Sequence, residues 1–223
     1  MDFTVKLFPH FILSSLFFII FSASGFVMSP EQEDLDARVK KFLDSKRWGW
    51  HDMNVPEVDG QTLHDIILKN KYTRALEIGT STGHSSIWIA WALSKTGGKL
   101  ITVEIDEQRH LQALENFKEA GLSEFIDARL GDAHEIVPAL EGPFDFVFSD
   151  ADKNWYKNYL DAVLPKLKVG GCYTTHNVYM GRGGRRGRGR NSDYLDYLLS
   201  LPNLETTVDD RGNGLAISYK KSE

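Results

Sequence analysis

Glu77-Ile78-Gly79-Thr80-Ser81-Thr82-Gly83-His84-Ser85 is the stretch that decides the fold. It joins an apolar run, Ala75-Leu76-Glu77-Ile78, to a helical run over residues 85–95. Gly79 and Gly83 permit a tight turn and close approach of backbone to a ligand, and the polar side chains around them can cap the following helix. A strand leading through such a turn into a helix is the first half of a βαβ unit. The spacing is not that of the dinucleotide pattern G-x-G-x-x-G, whose glycines admit a pyrophosphate. Glu77 stands two residues before the first glycine, and a carboxylate there repels a pyrophosphate while favouring a cationic ligand.

Downstream the alternation continues. Strand-like runs are Leu100-Ile101-Thr102-Val103, Phe125-Ile126-Asp127-Ala128, Phe144-Asp145-Phe146-Val147-Phe148 and Cys172-Tyr173-Thr174-Thr175. Helix-like runs lie between them, over residues 107–120, 133–140 and 155–167. Repeated βαβ units predict an α/β, Rossmann-like, doubly wound sheet with helices on both faces. Two final runs, residues 204–208 and 215–219, are separated by too few residues for a crossover helix and should pair antiparallel. Upstream, Ser29-Pro30-Glu31 reads as a capped helix start, with Leu35, Val39, Phe42 and Leu43 at helical spacing. A polar and aromatic connection over residues 47–55 leads to a second helix predicted over residues 60–70, with Leu63, Ile66 and Ile67 on one face.

Ligands of an open α/β sheet bind beyond the carboxyl ends of its strands. The second strand ends at Glu104, roughly 20 to 25 residues beyond the glycine loop, where an acid can accept both ribose hydroxyls. Gly131-Asp132-Ala133 follows the third strand, where an adenine edge would lie. Acid–glycine loop, ribose acid and Gly-Asp-Ala at successive strand ends together describe a nucleoside site for a cationic ligand.

These residues resemble the class I S-adenosylmethionine methyltransferases, and within them the catechol and caffeoyl-CoA O-methyltransferase group. The resemblance runs from about Met53 to the C-terminus. It is carried by Leu76-Glu77-Ile78-Gly79-Thr80-Ser81-Thr82-Gly83-His84-Ser85 and by Asp150-Ala151-Asp152-Lys153-Asn154-Trp155-Tyr156, with Gly170-Gly171 and Gly212-Asn213-Gly214-Leu215 in support. It implies strand order 3-2-1-4-5-7-6, a homodimer, and S-adenosylmethionine as methyl donor. It further implies that Glu77, Gly79, Ser81 and Ser85 line the methionine end of the cofactor, with Gly83 and Asp150 completing that site. Glu104 would hold the ribose, and Asp132 with Ala133 the adenine.

Methyl transfer from a sulfonium requires an aligned acceptor oxygen that loses its proton. The resemblance implies a divalent ion held by two aspartates and an asparagine, assisted by a lysine. Asp150 matches the first aspartate, Lys153 the lysine and Asn177 the asparagine, but His176 stands where the second aspartate belongs. Asp150, His176 and Asn177 could bind Zn, Fe or Mn through the imidazole. Alternatively the metal is lost and His176 is a general base, or it is a histidine hydrogen-bonded at a strand end. Trp48, Trp50, Met53, Tyr179 and Met180 offer apolar walls for an aromatic acceptor, and Arg182 a polar contact to it. Ser149-Asp150-Ala151-Asp152 stands where base-modifying nitrogen methyltransferases carry Asn/Asp-Pro-Pro-Tyr, which favours an oxygen acceptor: a small aromatic hydroxyl, catechol or hydroxycinnamoyl-like.

Composition adds boundaries. The 223 residues carry a net charge of −5, so no global field attracts a polyanion. Yet Arg182, Arg185, Arg186, Arg188 and Arg190 fall within residues 181–190. They could clamp a substrate carboxylate or phosphate or grip RNA. Without stacking aromatics in the stretch, sequence-reading of nucleic acid is not expected. The rival readings are therefore an RNA methyltransferase and a binding protein that keeps the cofactor pocket without the chemistry. The single cysteine, Cys172, excludes an internal disulfide and a Cys-based zinc site. Residues 1–28 read as a signal peptide, an anchor, or a mis-called start before Met28, preceding a methyltransferase domain over residues 29–223. The cofactor is made in the cytosol, which favours a cytoplasmic enzyme, with membrane association through residues 7–28 as the alternative.

Overall fold

From Ala75 onward every residue of β1 (Arg74–Ile78) is buried, as in the central strand of a sheet covered on both faces. The computed structural model of the chain describes Met1 and residues 30–47, 49–50, 53–178 and 192–223. Residues 2–29, Trp48, Tyr179, Met180 and the arginine stretch with Arg182 lie outside the described residues. β1 is followed by α3 (His84–Thr96), β2 (Lys99–Glu104), α4 (Glu107–Ala120), β3 (Ile126–Leu130), α5 (Ala133–Ala139) and β4 (Phe144–Ser149). Then come α6 (Tyr156–Val163), β5 (Leu167–Thr175), α7 (Ser192–Ser200), β6 (Leu204–Asp209) and β7 (Leu215–Lys220). Two helices, α1 (Pro30–Lys46) and α2 (Glu57–Asn70), precede the sheet.

The strands order as β3-β2-β1-β4-β5-β7-β6. β3, β2, β1, β4 and β5 pair parallel, whereas β7 runs antiparallel to both β5 and β6. This is the order that the resemblance implies, with the antiparallel final pair read from its short connection. Alternation along the strands sorts the core into two faces. Leu76, Ile78, Val147 and Tyr173 pack with Val137, Leu160, Val163 and Leu198. Ala75, Phe146, Phe148 and Cys172 pack with Leu63, Ile67, Ile89 and Leu93 on the other face. A third cluster seats α1 against α3 and α4 through Val39, Phe42, Trp88, Trp91 and Phe117.

Several boundaries depart from the sequence pattern for identifiable reasons. The helix expected over residues 155–167 stops at Val163, because Pro165 sits in a 3-10 turn, Leu164–Lys166, and cannot supply the next helical N–H. β5 therefore begins at Leu167, five residues before the run that identified it. Ser123–Phe125 is likewise a 3-10 turn, so β3 starts one residue later than expected. The cap of α3 is Gly83, with no side-chain capping bond from the polar loop. Most consequential, α2 starts at Glu57 instead of Gly60, which places the buried Asp59 in its first turn.

Gly60 is fixed by packing. A Cβ there would come within 2.3 Å of the Trp88 ring on α3. Alanine in a helix interior is ordinarily about 1 kcal/mol better than glycine; here overpacking should reverse the sign. Gly60→Ala is expected to destabilise by roughly 1–3 kcal/mol, read as a lowered midpoint in thermal unfolding. A raised midpoint would show that α2 and α3 are not so closely opposed.

Candidate active site

The carboxyl ends of β1, β2, β4 and β5 open into one cavity of about 540 Å³. Its walls come from the β1 loop (Gly79, Thr80, Ser81), the start of α3 (Ser85), the end of β2 (Glu104), the end of β4 (Asp150 to Lys153) and the end of β5 (His176, Asn177). The cavity exists because the loop after β1 presses on the end of β4. Gly79 has φ +98°, and a Cβ there would stand 2.6 Å from the Asp150 carbonyl oxygen. Backbone bonds hold the ends together: Asp150 N–H donates to Ile78 at 2.8 Å and His176 N–H to Ser149 at 3.1 Å.

At the end of β2, Glu104 accepts the backbone N–H groups of Ser81 (2.6 Å), Ile105 (3.1 Å) and Asp106 (3.0 Å), which fix its carboxylate at the cavity wall. Ile105 and Arg109 flank it. Glu77 lies beneath the loop and does not line the cavity. Ser86 and Thr102 hydroxyls donate to its Oε2, while Oε1 has no hydrogen-bond partner. Burial pushes this carboxyl up to about 7, against the opposing effect of those hydroxyls. A buried acid of that kind is poised to ionise when a cation arrives beside it.

Other expected residues fall elsewhere. Gly83 caps α3 against Phe117. Asp132 caps α5 by accepting the His134 N–H at 2.8 Å, and Ala133 packs in the core; neither borders the cavity. Trp50, expected as a wall for the acceptor, faces a separate hollow, where it stacks on His84 (4.6 Å) and meets Phe42 edge-on. That histidine is engaged on both sides: Nδ1 bonds the Val55 carbonyl at 2.9 Å and Nε2 accepts from Trp88 at 3.1 Å. Burial lowers it to about 4, so it is neutral. Met53, by contrast, does line the cavity, with Val55.

At the ends of β4 and β5, Lys153 Nζ donates to Asp150 Oδ1 (3.0 Å) and to the Tyr156 hydroxyl (3.1 Å), leaving its third N–H for a group in the cavity. Tyr156 in turn donates to the His176 carbonyl at 3.0 Å. His176 is only 2% exposed. Its Nδ1 lies 2.9 Å from Asp150 Oδ2, and its Nε2 lies 2.9 Å from Asp59 Oδ2. Burial alone would push the imidazole down, but hydrogen bonds and charge from Asp150 and Asp59 outweigh it and raise it to about 9. Both ring nitrogens are thus turned to carboxylates and neither to the open cavity.

Sequence reasoning missed Asp59. It reads as one of two acids, with Glu57, in a helix's first turn, where acids commonly complement the helix dipole. Only its contact with His176, 117 residues away, distinguishes it.

A family model described as O-methyltransferase matches residues 28–185. A catechol O-methyltransferase from Niastella koreensis is 41% identical over 107 residues, covering 46% of this chain and 48% of the relative. Caffeoyl-CoA O-methyltransferase 1 from Eucalyptus globulus is 34% identical over 134 residues, covering 58% and 54%. The aligned region thus spans about half the length of these relatives. Among solved structures, the O-methyltransferase TomG from Streptomyces achromogenes, in complex with SAM, superposes with a TM-score of 0.70 at 25% identity, covering 88% of this chain and 92% of its own.

A histidine raised from 6.5 to about 9 adds stability that is fully present below pH 6.5 and is lost as pH rises through 9. The advantage of the unaltered protein over His176→Asn should therefore shrink by on the order of 3 kcal/mol across that window, measured by denaturant unfolding at a series of pH values. Parallel stability curves would show that the ring is neutral.

Proposed function

This chain belongs to the O-methyltransferase family, and on that premise we propose that it transfers a methyl group from S-adenosylmethionine to a hydroxyl of a small aromatic acceptor. The observation that carries this reading is a single cavity with a nucleoside end and an acceptor end. Gly79, Ser81, Ser85 and Glu104 line it together with Asp150, Lys153 and Asn177.

The residues present fit the cofactor. Gly79 leaves the loop backbone bare, the Glu104 carboxylate faces the cavity as an acceptor for ribose hydroxyls, and Glu77 has a buried oxygen without a partner under the loop. When bound, S-adenosylmethionine supplies a methyl group made electrophilic by its sulfonium. The rest falls to the chain. Met53 and Val55 give the acceptor ring an apolar wall and exclude water from it. Lys153, steadied by Asp150 and Tyr156, turns its remaining N–H to the acceptor oxygen and stabilises the negative charge that oxygen gains as its proton leaves to solvent. Fixing two reactants in one closed space converts an encounter into a unimolecular step.

Calorimetry with S-adenosylmethionine, combined with methyl transfer to a panel of catechols and hydroxycinnamates, tests the reading. Saturable cofactor binding and turnover of at least one phenolic acceptor are expected. Glu104→Ala should weaken cofactor binding by about tenfold or more. Lys153→Met should lower kcat by about a hundredfold with cofactor affinity retained. Absence of any heat with S-adenosylmethionine would overturn the reading, and binding without turnover of any acceptor would leave a binding protein in its place.

A further inference from the structure

The resemblance assigns the acceptor end a divalent ion between Asp150, residue 176 and Asn177, but the donors of this chain do not fit one. Imidazole coordinates a metal through an unprotonated nitrogen. In His176 each ring nitrogen already lies 2.9 Å from a carboxylate oxygen, Nδ1 from Asp150 and Nε2 from Asp59. A carboxylate oxygen without a proton needs an N–H opposite it, so these two bonds account for both nitrogens.

The surroundings explain what the ring does. Asp59 is buried in the first turn of α2, and its Oδ1 has no hydrogen-bond partner. The Asn213 N–H approaches its Oδ2 at 3.3 Å. Gly212 is pressed so closely on the same carboxylate that a Cβ would stand 2.2 Å from it. Buried Asp59 and partly buried Asp150 each turn an oxygen to the ring between them, and a buried carboxylate such as Asp59 left without a cation costs several kcal/mol. An aspartate at position 176 would add a third negative group and require the cation from solution. A histidine there brings its own.

We propose that the His176 ring, clamped between Asp59 and Asp150, stands in for the divalent ion of the family, and that this chain's site works without a metal. The proposal rests on the methyltransferase reading for its consequence in catalysis and on the clamp alone for its consequence in metal binding. His176 acts as a positioning residue: it fixes Asp150, and through Asp150 the amine of Lys153.

The test begins with chelator-treated full-length protein titrated with MnCl2 and with ZnCl2 in a calorimeter. No saturable binding is expected for the unaltered chain, whereas His176→Asp should gain a one-to-one manganese site. Nitrogen-15 spectra of the unaltered protein should show both His176 ring nitrogens protonated near neutral pH, a readout that needs no variant and survives any folding failure of His176→Asp. Where an acceptor is turned over, chelator should leave the rate unchanged. Stoichiometric manganese or zinc binding by the unaltered protein that disappears in His176→Asn would overturn the proposal, as would an unprotonated ring nitrogen. These outcomes are independent of cofactor binding, so a failure of the methyltransferase reading would be recognised separately.

Discussion

Backbone contact between the β1 loop and the end of β4 is the constraint on which this site depends. Gly79 meets the Asp150 carbonyl where no side chain could fit, and parallel pairing of β1 with β4 brings the two strand ends level. From that contact the rest follows in order. The loop stays close to the sheet, its next residues reach the Glu104 carboxylate on β2, and Asp150 turns outward beside the start of α6. The crevice of a doubly wound sheet arises where neighbouring crossovers diverge; here β1 has α3 leaving on one side and β4 has α6 on the other. The two sorted faces of the core, one carrying α5 and α6 and the other α2 and α3, are the same divergence expressed in packing.

Charge is managed differently at the two ends of the cavity. Beneath the β1 loop, Glu77 is sealed among hydroxyls, and burial makes its ionisation costly until a cation is near. At the ends of β4 and β5, Asp59 is as deeply buried and Asp150 only partly so, and both lie against the His176 ring, with Lys153 paired to Asp150 at the cavity wall. The first arrangement waits for a positively charged ligand and the second does not. Burying several ionisable groups in so small a volume is tolerable only because nearly every one has a partner at hydrogen-bond distance.

Much of this was legible in the sequence, for reasons that are local. The glycine loop, the acid ending β2 and the Asp150–Lys153 segment are each continuous stretches at strand ends, and alternation of strand and helix gives the sheet its class. What escaped was whatever depends on which way an irregular segment faces. Trp50 lies in the connection before α2, and composition does not say that its ring turns to His84 and away from the cavity. Asp132 and Ala133 sit at the expected strand end, where the aspartate also caps α5. The early stop of α6 was available in Pro165 and was outweighed by the helical spacing around it. Asp59 carried no local signal, because its role exists only in the tertiary contact.

The Asp59–His176–Asp150 clamp also orders the birth of the site. It ties the first turn of α2 to the end of β5 across 117 residues, with the turn before β7 closing over it. Contacts of that separation form late, because closing so long a segment costs entropy that short-range pairs do not. The side chains of the β1–β2 wall lie within residues 77–104, but the loop among them is seated against Asp150 on β4. The cavity therefore needs β4 for one wall and β5 for the other, so it is completed only together with the sheet.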